Sequence, residues 1–429
     1  MRLNRLSEIN HNKDIYGASA AISCGVFCPT FGVAVAAPLI REAAVLVVGT
    51  AECTWYARNS CIYHSEEPGY ERFFAGVFED TDIIFGSRDG ILTALLQIAK
   101  DPRIRCIFLV STCIPEIIGE DLEAISQAAE KECGIPILPI HVAHYDRNCN
   151  EFGVAVSQTM KAMVRLMKPQ TVKPGTVNLL GRNFHAGIEG SLKDSELLGL
   201  LTQNGITLHL IIPEPCNIEA LQSASAAALN IVTSEVGREL AMAMEDQFST
   251  PYVFFEPSFE LDKIRSGYQQ LAGHLGISIQ KIIEKAHQTT VLQLQEARQV
   301  LAGKSFVNGG RPPDAFEAAA FLTSLGMVPL LINAYRLTDN SQEQIDRILD
   351  QGWDPYVNYV ANPNAAVSLM PELLPDLYIG FGQADYLKQL GILHLERLVP
   401  PGKIGYEAIT WALAAVKSVL AGGAPNVSF

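Results

Sequence analysis

The 429-residue chain is too long for one ordinary core and implies two or three domains. Hydrophobic residues make up 48% and charged residues 18%, a balance that excludes intrinsic disorder. Lys+Arg 32 against Asp+Glu 46 leaves a net charge of −14, which excludes a phosphate-backbone binder with a basic face, so no nucleic-acid partner is expected.

The mean hydropathy of +0.16 is high for a soluble protein. Yet no uncharged apolar run of ~18 residues stands between clear flanks. The nearest, residues 18–40, carries two Cys and two Pro. The opening MRLNRLSEINHNKD has no apolar core of a signal peptide. We expect a soluble cytoplasmic protein with no membrane partner, whose surplus apolar surface suits contacts between subunits.

Along the chain, strands and helices alternate. AAVLVVG (Ala43–Gly49) is a short apolar run ending in Gly, the signal of a buried parallel strand. RCIFLVST (105–112) and IPILPIHV (135–142) repeat it, with an amphipathic helix over 120–132 between them. Two prolines and a Gly in MKPQTVKPGTVNLLG mark a boundary near residue 170. The next block reads strand 177–181, helix 191–203, TLHLIIP, a helix near 218–228, LNIVTS, a further helix and YVFFEP. A polar helical stretch, 259–302, leads to SFVNGG, VPLLIN and DLYIGFG (376–382), and a helix over Tyr406–Leu420 closes the chain. This order predicts an α/β fold of three Rossmann-like domains with parallel sheets, over 1–170, 171–300 and 301–429. No GxGxxG follows a first strand and no GxxxxGK[ST] occurs, so the usual dinucleotide and ATP cradles are missing.

Eight of the nine cysteines lie in the first 149 residues, and no CxxC pair occurs. They are either inert core residues or metal ligands converging from separate loops. Ligands bind open α/β sheets beyond the carboxyl ends of the strands. Cys53 follows the first strand in GTAEC, Cys113 follows the second in VSTC, and Cys28 lies on the FCPTFG turn. Three such loop cysteines suit an iron–sulfur cluster. Cys106 sits at the start of its strand and reads as packing. Cys133 precedes Gly134 at the opposite edge, Cys61 falls in a helix, and Cys24 is a spare beside Cys28.

FCPTFG (27–32), VVGTAECTWYARN (47–59) and FLVSTCIPEIIGEDLEA (108–124) resemble the component 1 superfamily of nitrogenases, with its dark-operative protochlorophyllide reductase branch. LNIVTSEVGRELAMAMEDQFSTPYVFFEP (229–257) and IGYEAITWALAAV (404–416) are similar to its second-domain and C-terminal segments. The resemblance implies a subunit of three Rossmann-like domains paired with a homologous or identical component 1 subunit. It implies an iron–sulfur cluster, [4Fe–4S] or a larger P-cluster-like form, bound by Cys28, Cys53 and Cys113 and shared with that partner. Electrons would come from a separate ATP-hydrolysing iron–sulfur reductase of the nitrogenase iron protein type and pass to a substrate or cofactor in a cleft between domains. The alternatives within the same resemblance are a tetrapyrrole-reducing enzyme and a non-catalytic scaffold for metallocluster maturation.

The family's cofactor-binding cysteine would fall near Thr233, where this chain has none. His394, in LGILHLERL, is the histidine nearest the family's cofactor position. His185, in GRNFHAG, follows a strand and is a candidate proton donor or ligand. HVAH (His141, His144) with Cys149 has a spacing compatible with a metal. Glu52 and Arg58 flank Cys53. Glu116, Glu120, Asp121 and Glu123 follow Cys113, where they suit a helix start or a docking face.

Overall fold

The structure, a computed structural model, describes residues 3–16, 28–64, 70–143, 152–181, 192–309, 315–360, 363–380 and 382–423. The chain condenses into two compact units, one of Phe27–Glu189 with Leu200–Glu256, the other of Met1–Val26, Gly190–Gly199 and Pro257–Phe429.

The unit that starts at Phe27 holds two four-stranded sheets, parallel throughout. The first runs β3 (Phe73–Val77), β2 (Ala43–Gly49), β4 (Cys106–Ser111), β5 (Ile137–Ile140). The second runs β7 (Thr207–Ile212), β6 (Lys173–Leu180), β8 (Ala227–Val232), β9 (Tyr252–Phe254). All residues of β2 and β4 are buried, as apolar strands covered on both faces must be. Val45, Phe108, Leu180 and Val232 share one core across the two sheets. The helix Thr30–Ala36 is buried along its whole length in that core, which anchors Cys28 just ahead of it.

The other unit holds a six-stranded sheet: β1 (Asn4–Arg5), β12 (Tyr356–Tyr359), β11 (Val328–Ala334), β10 (Ser305–Asn308), β13 (Leu377–Ile379), β14 (Leu393–Leu395). It is parallel except for β1, which pairs antiparallel with β12. The Gly-Tyr-Glu segment before the C-terminal helix, Tyr406–Leu420, has a structural task here. Gly405 has φ +77°, and a β carbon on it would lie 2.5 Å from the Tyr268 hydroxyl. Glu407 and Glu196 each accept the other's backbone N–H, at 2.6 and 2.8 Å.

In every sheet the first-laid strand of the parallel set is central: β2 between β3 and β4, β6 between β7 and β8, β10 between β11 and β13. The chain builds one flank, then returns to the other side. Each sheet therefore has a topological switch point, at β2/β4, β6/β8 and β10/β13, where α/β folds bind ligands. The helix expected near 218–228 is shorter. It spans Ile218–Gln222, and the chain turns through Ala224–Ala226 into β8 from Ala227.

Candidate iron–sulfur site and relation to known proteins

The β2/β4 switch point gathers the cysteine loops. Cys53 lies in the first turn of the helix Ala51–His64, which leaves the end of β2. Its backbone N–H reaches the Thr50 hydroxyl at 3.4 Å. Cys113 is the first residue of the helix Cys113–Ile118, which leaves β4 through Thr112. Cys28 precedes its buried helix, and its carbonyl accepts the Phe31 N–H at 2.9 Å.

All three are half-buried cysteines outside any disulfide. Burial pushes the Cys28 thiol up, the Thr30 hydroxyl pulls it back by donating to its sulfur at 3.2 Å, and charge on Cys53 and Cys113 raises it again. Cys28 is thus within electrostatic reach of both Cys53 and Cys113. The backbone of Cys28 also meets the Tyr56 hydroxyl, one helical turn beyond Cys53.

The donor set suits a soft polynuclear centre. Among the described residues, no group of three His, Cys, Asp or Glu is close enough to hold a single metal ion. Thiolates around a cluster stand further apart than those around one ion, because each binds a different iron. Just before Cys113, the Thr112 hydroxyl is buried with no hydrogen-bond partner. It caps no backbone group, although Thr112 is the N-cap of the Cys113 helix. An orphaned polar atom of this kind, one residue before Cys113, points to a missing polar group.

The other cysteines separate from this set. Cys106 is fully buried as the first residue of β4, and burial pushes its thiol up to about 12. Cys133 ends the helix Leu122–Cys133 half-buried, its thiol on the Ile135 carbonyl at 3.8 Å. The helix Ala51–His64 contains Cys61. Cys24, His144, Cys149 and His185 lie outside the described residues.

The acidic residues after Cys113 are internal braces. Glu116 accepts from the Ser111 hydroxyl and from His141 Nδ1, the latter at 2.6 Å. Glu123 accepts from His141 Nε2 at 2.7 Å. Glu120 accepts the Ser87 N–H, and Asp121 caps its helix through the Ala124 N–H at 2.9 Å. Both ring nitrogens of His141 are thus engaged by carboxylates. Glu52 and Arg58 are exposed, as surface charge. Sequence reasoning missed Gly49, Thr112 and the Glu116–His141–Glu123 chain.

The other two switch points differ. After β8, Thr233 is buried, and its hydroxyl donates to the Gly181 carbonyl. No thiol is offered there, so a cofactor held by a cysteine after this strand does not fit. At β10/β13, Asn308, Gly380, Glu396 and Arg397 line a small open hollow. His394, on β14, donates from Nε2 to the Gly380 carbonyl at 2.7 Å and stands edge-on to Tyr378.

Residues 28–413 match the family described as nitrogenase component 1 type oxidoreductase. The chain belongs to that family. It is 25% identical over 396 residues to the nitrogenase iron-molybdenum cofactor biosynthesis protein NifE of Rippkaea orientalis, covering 88% of this chain and 82% of that one. It is 32% identical over 184 residues to a subunit of the light-independent protochlorophyllide reductase of Stigeoclonium helveticum, covering 40% of this chain and 35% of that one. The solved structure of nitrogenase Cp1 at pH 6.5 aligns with a TM-score of 0.73 and 17% identity, over 95% of this chain and 94% of that one. That likeness establishes the α/β fold with its parallel sheets. No described helix is long and apolar enough to cross a membrane.

Proposed function

We propose that this chain is the cluster-bearing subunit of a nitrogenase-like reductase, with Cys28, Cys53 and Cys113 as ligands of an iron–sulfur cluster. The observation that carries the reading is that the Cys53 and Cys113 loops leave one switch point within electrostatic reach of Cys28, with the orphaned Thr112 hydroxyl next to Cys113. Three thiolates leave a four-iron cluster one ligand short, which a homologous or identical subunit would complete. When bound, the cluster would accept single electrons from a separate ATP-hydrolysing iron–sulfur reductase and release them toward substrate.

The chain's own residues prepare the site. Thr30 donates to the Cys28 sulfur, an interaction that stabilises negative charge on a ligating thiolate. Ile84 and Phe85, 71% and 83% exposed, crown the helix Asp80–Phe85 against the Cys113 helix, whose own Ile117 is 64% exposed. This apolar surface next to a ligand helix is where the reductase would dock and exclude water. The hollow at β10/β13 would receive the substrate, with Asn308 and Arg397 as polar contacts and His394 Nδ1 nearby, its Nε2 being committed to Gly380.

The test is reduction of the anaerobically purified protein by an iron-protein-type reductase. Bleaching of cluster absorption that needs both the reductase and ATP supports the reading, and reduction indifferent to both contradicts it. A second reading, a scaffold on which a metallocluster matures, is favoured by relatives named for cofactor biosynthesis and by the hydroxyl where the family's cofactor thiol would stand. It predicts transfer of iron and sulfide to an acceptor protein and no substrate turnover.

A further inference from the structure

The ring of His141 lies between two carboxylates, Glu116 at 2.6 Å from Nδ1 and Glu123 at 2.7 Å from Nε2. Carboxylates only accept hydrogen bonds, whereas a neutral imidazole offers one donor and one lone pair. A neutral His141 would therefore set its lone pair against an anionic oxygen. Both contacts are satisfied together when the ring carries two N–H groups, as imidazolium.

The arrangement joins four elements near one ligand. His141 follows β5, Glu116 lies on the helix that begins with Cys113, and Glu123 lies on the next helix, Leu122–Cys133. From β4, the buried Ser111 hydroxyl reaches the same Glu116 oxygen that His141 binds. Among the described residues, Glu116 and Glu123 are the charged groups that face His141 from the elements packed on it. The Cys113 helix is only six residues long, and its Thr112 side chain gives it no cap bond. The Glu116 contacts with Ser111 and His141 tie it one turn after Cys113.

We propose that protonated His141 is a positioning residue for the Cys113 ligand loop: the imidazolium ties Glu116 to Glu123 and holds the Cys113 helix in its ligating pose, and loss of the proton loosens that ligand. The inference deepens the cluster reading and rests on it. The side-chain bond to Glu116 is the main reason the imidazole is raised to about 9; burial opposes it and Glu123 adds to it. The clamp is closed at neutral pH and opens as pH rises through that value. The ring exchanges its proton with solvent through its exposed Glu123 side.

Two measurements on the full chain test this separately from cluster binding. The first is histidine NMR titration of the iron-free protein. His141 should titrate near pH 9 in the wild type and return toward ordinary imidazole values in Glu116→Gln/Glu123→Gln. A wild-type His141 that titrates near 6.5 overturns the proposal, whether or not the protein binds iron. The second is the rate at which a ferrous chelator strips iron from the reconstituted protein. Loss from the wild type should accelerate about tenfold between pH 7 and pH 10, the order of one charge-assisted hydrogen bond. His141→Gln should lose iron at the faster rate at both pH values, and His141→Lys, which keeps a cation, should restore slow loss at pH 7. Parallel pH dependence in the wild type and His141→Gln overturns the proposal. A wild type that binds no iron at all removes the cluster reading while leaving the NMR result to decide the clamp.

Discussion

Gly49 and Thr112 meet across the β2/β4 switch point so closely that a β carbon on Gly49 would lie 1.8 Å from the Thr112 hydroxyl oxygen. Gly49 also has φ +152°, a conformation that side-chain-bearing residues rarely adopt. The contact sets the spacing between the loop that carries Cys53 and the loop that carries Cys113. A glycine ending the first strand is therefore a requirement of the ligand geometry as well as of the turn.

Gly49→Ala should destabilise the protein by about 3 kcal/mol, from overpacking and backbone strain combined. It should also lower bound iron. Thr112→Ala in the same chain removes the obstructing hydroxyl and should recover part of the stability. The Thr112 β carbon, 3.0 Å from the new methyl, keeps the rescue incomplete. Urea unfolding of the two single variants and the double variant reads this directly; strictly additive losses would disprove the contact.

Ile84→Lys/Phe85→Lys should leave stability within ~0.5 kcal/mol, since both side chains stand in solvent. Iron content should be unchanged. ATP-dependent reduction by the reductase should fall at least tenfold, because a docking patch loses its apolar centre to two charges. Thermal denaturation and stopped-flow reduction check both parts. Unimpaired reduction would move the docking face elsewhere. The isolated protein, lacking a nucleotide loop, should hydrolyse no ATP.

Stability should depend on pH through His141. The imidazole is raised from 6.5 to about 9 in the folded chain. A group raised on folding stabilises fully below its unfolded value and loses that contribution as pH rises through the folded value. The stability gap between wild type and His141→Gln should thus be full below pH 6.5, shrink between 6.5 and 9, and vanish above. The ring is partly solvated, which keeps the gap modest. Chemical denaturation across pH 5–10 measures it, and a gap that widens with pH would contradict the assignment.

Much of the framework was legible because buried parallel strands announce themselves. Ala43–Gly49 and Tyr406–Leu420 occupy the spans their apolar patterns predict. β3 gives no such signal: at the sheet edge only its first residue, Phe73, is buried, the others being half-buried or exposed, and Gly76 weakens the pattern. The segment near 218–228 reads as one helix because Ala-rich sequence suits both a short helix and a buried strand start. At the site, post-strand position singled out Cys53 and Cys113, and the FCPTFG turn singled out Cys28. The partners of His141 were hidden because Glu116 and Glu123 precede it by 25 and 18 residues, a separation that no local spacing reveals. The role of Gly49 depends on a through-space contact 63 positions away, and φ cannot be seen in a residue name.

The central claim is that Cys28, Cys53 and Cys113 hold an iron–sulfur cluster. Iron and acid-labile sulfide, measured on anaerobically purified and reconstituted protein, test it most directly, with Cys28→Ala/Cys53→Ala/Cys113→Ala and Cys106→Ala run beside the wild type. The account predicts stoichiometric iron and sulfide in the wild type, loss of both in the triple variant, and retention in Cys106→Ala, whose buried side chain serves packing alone. Iron and sulfide retained by the triple variant at the wild-type level would contradict it.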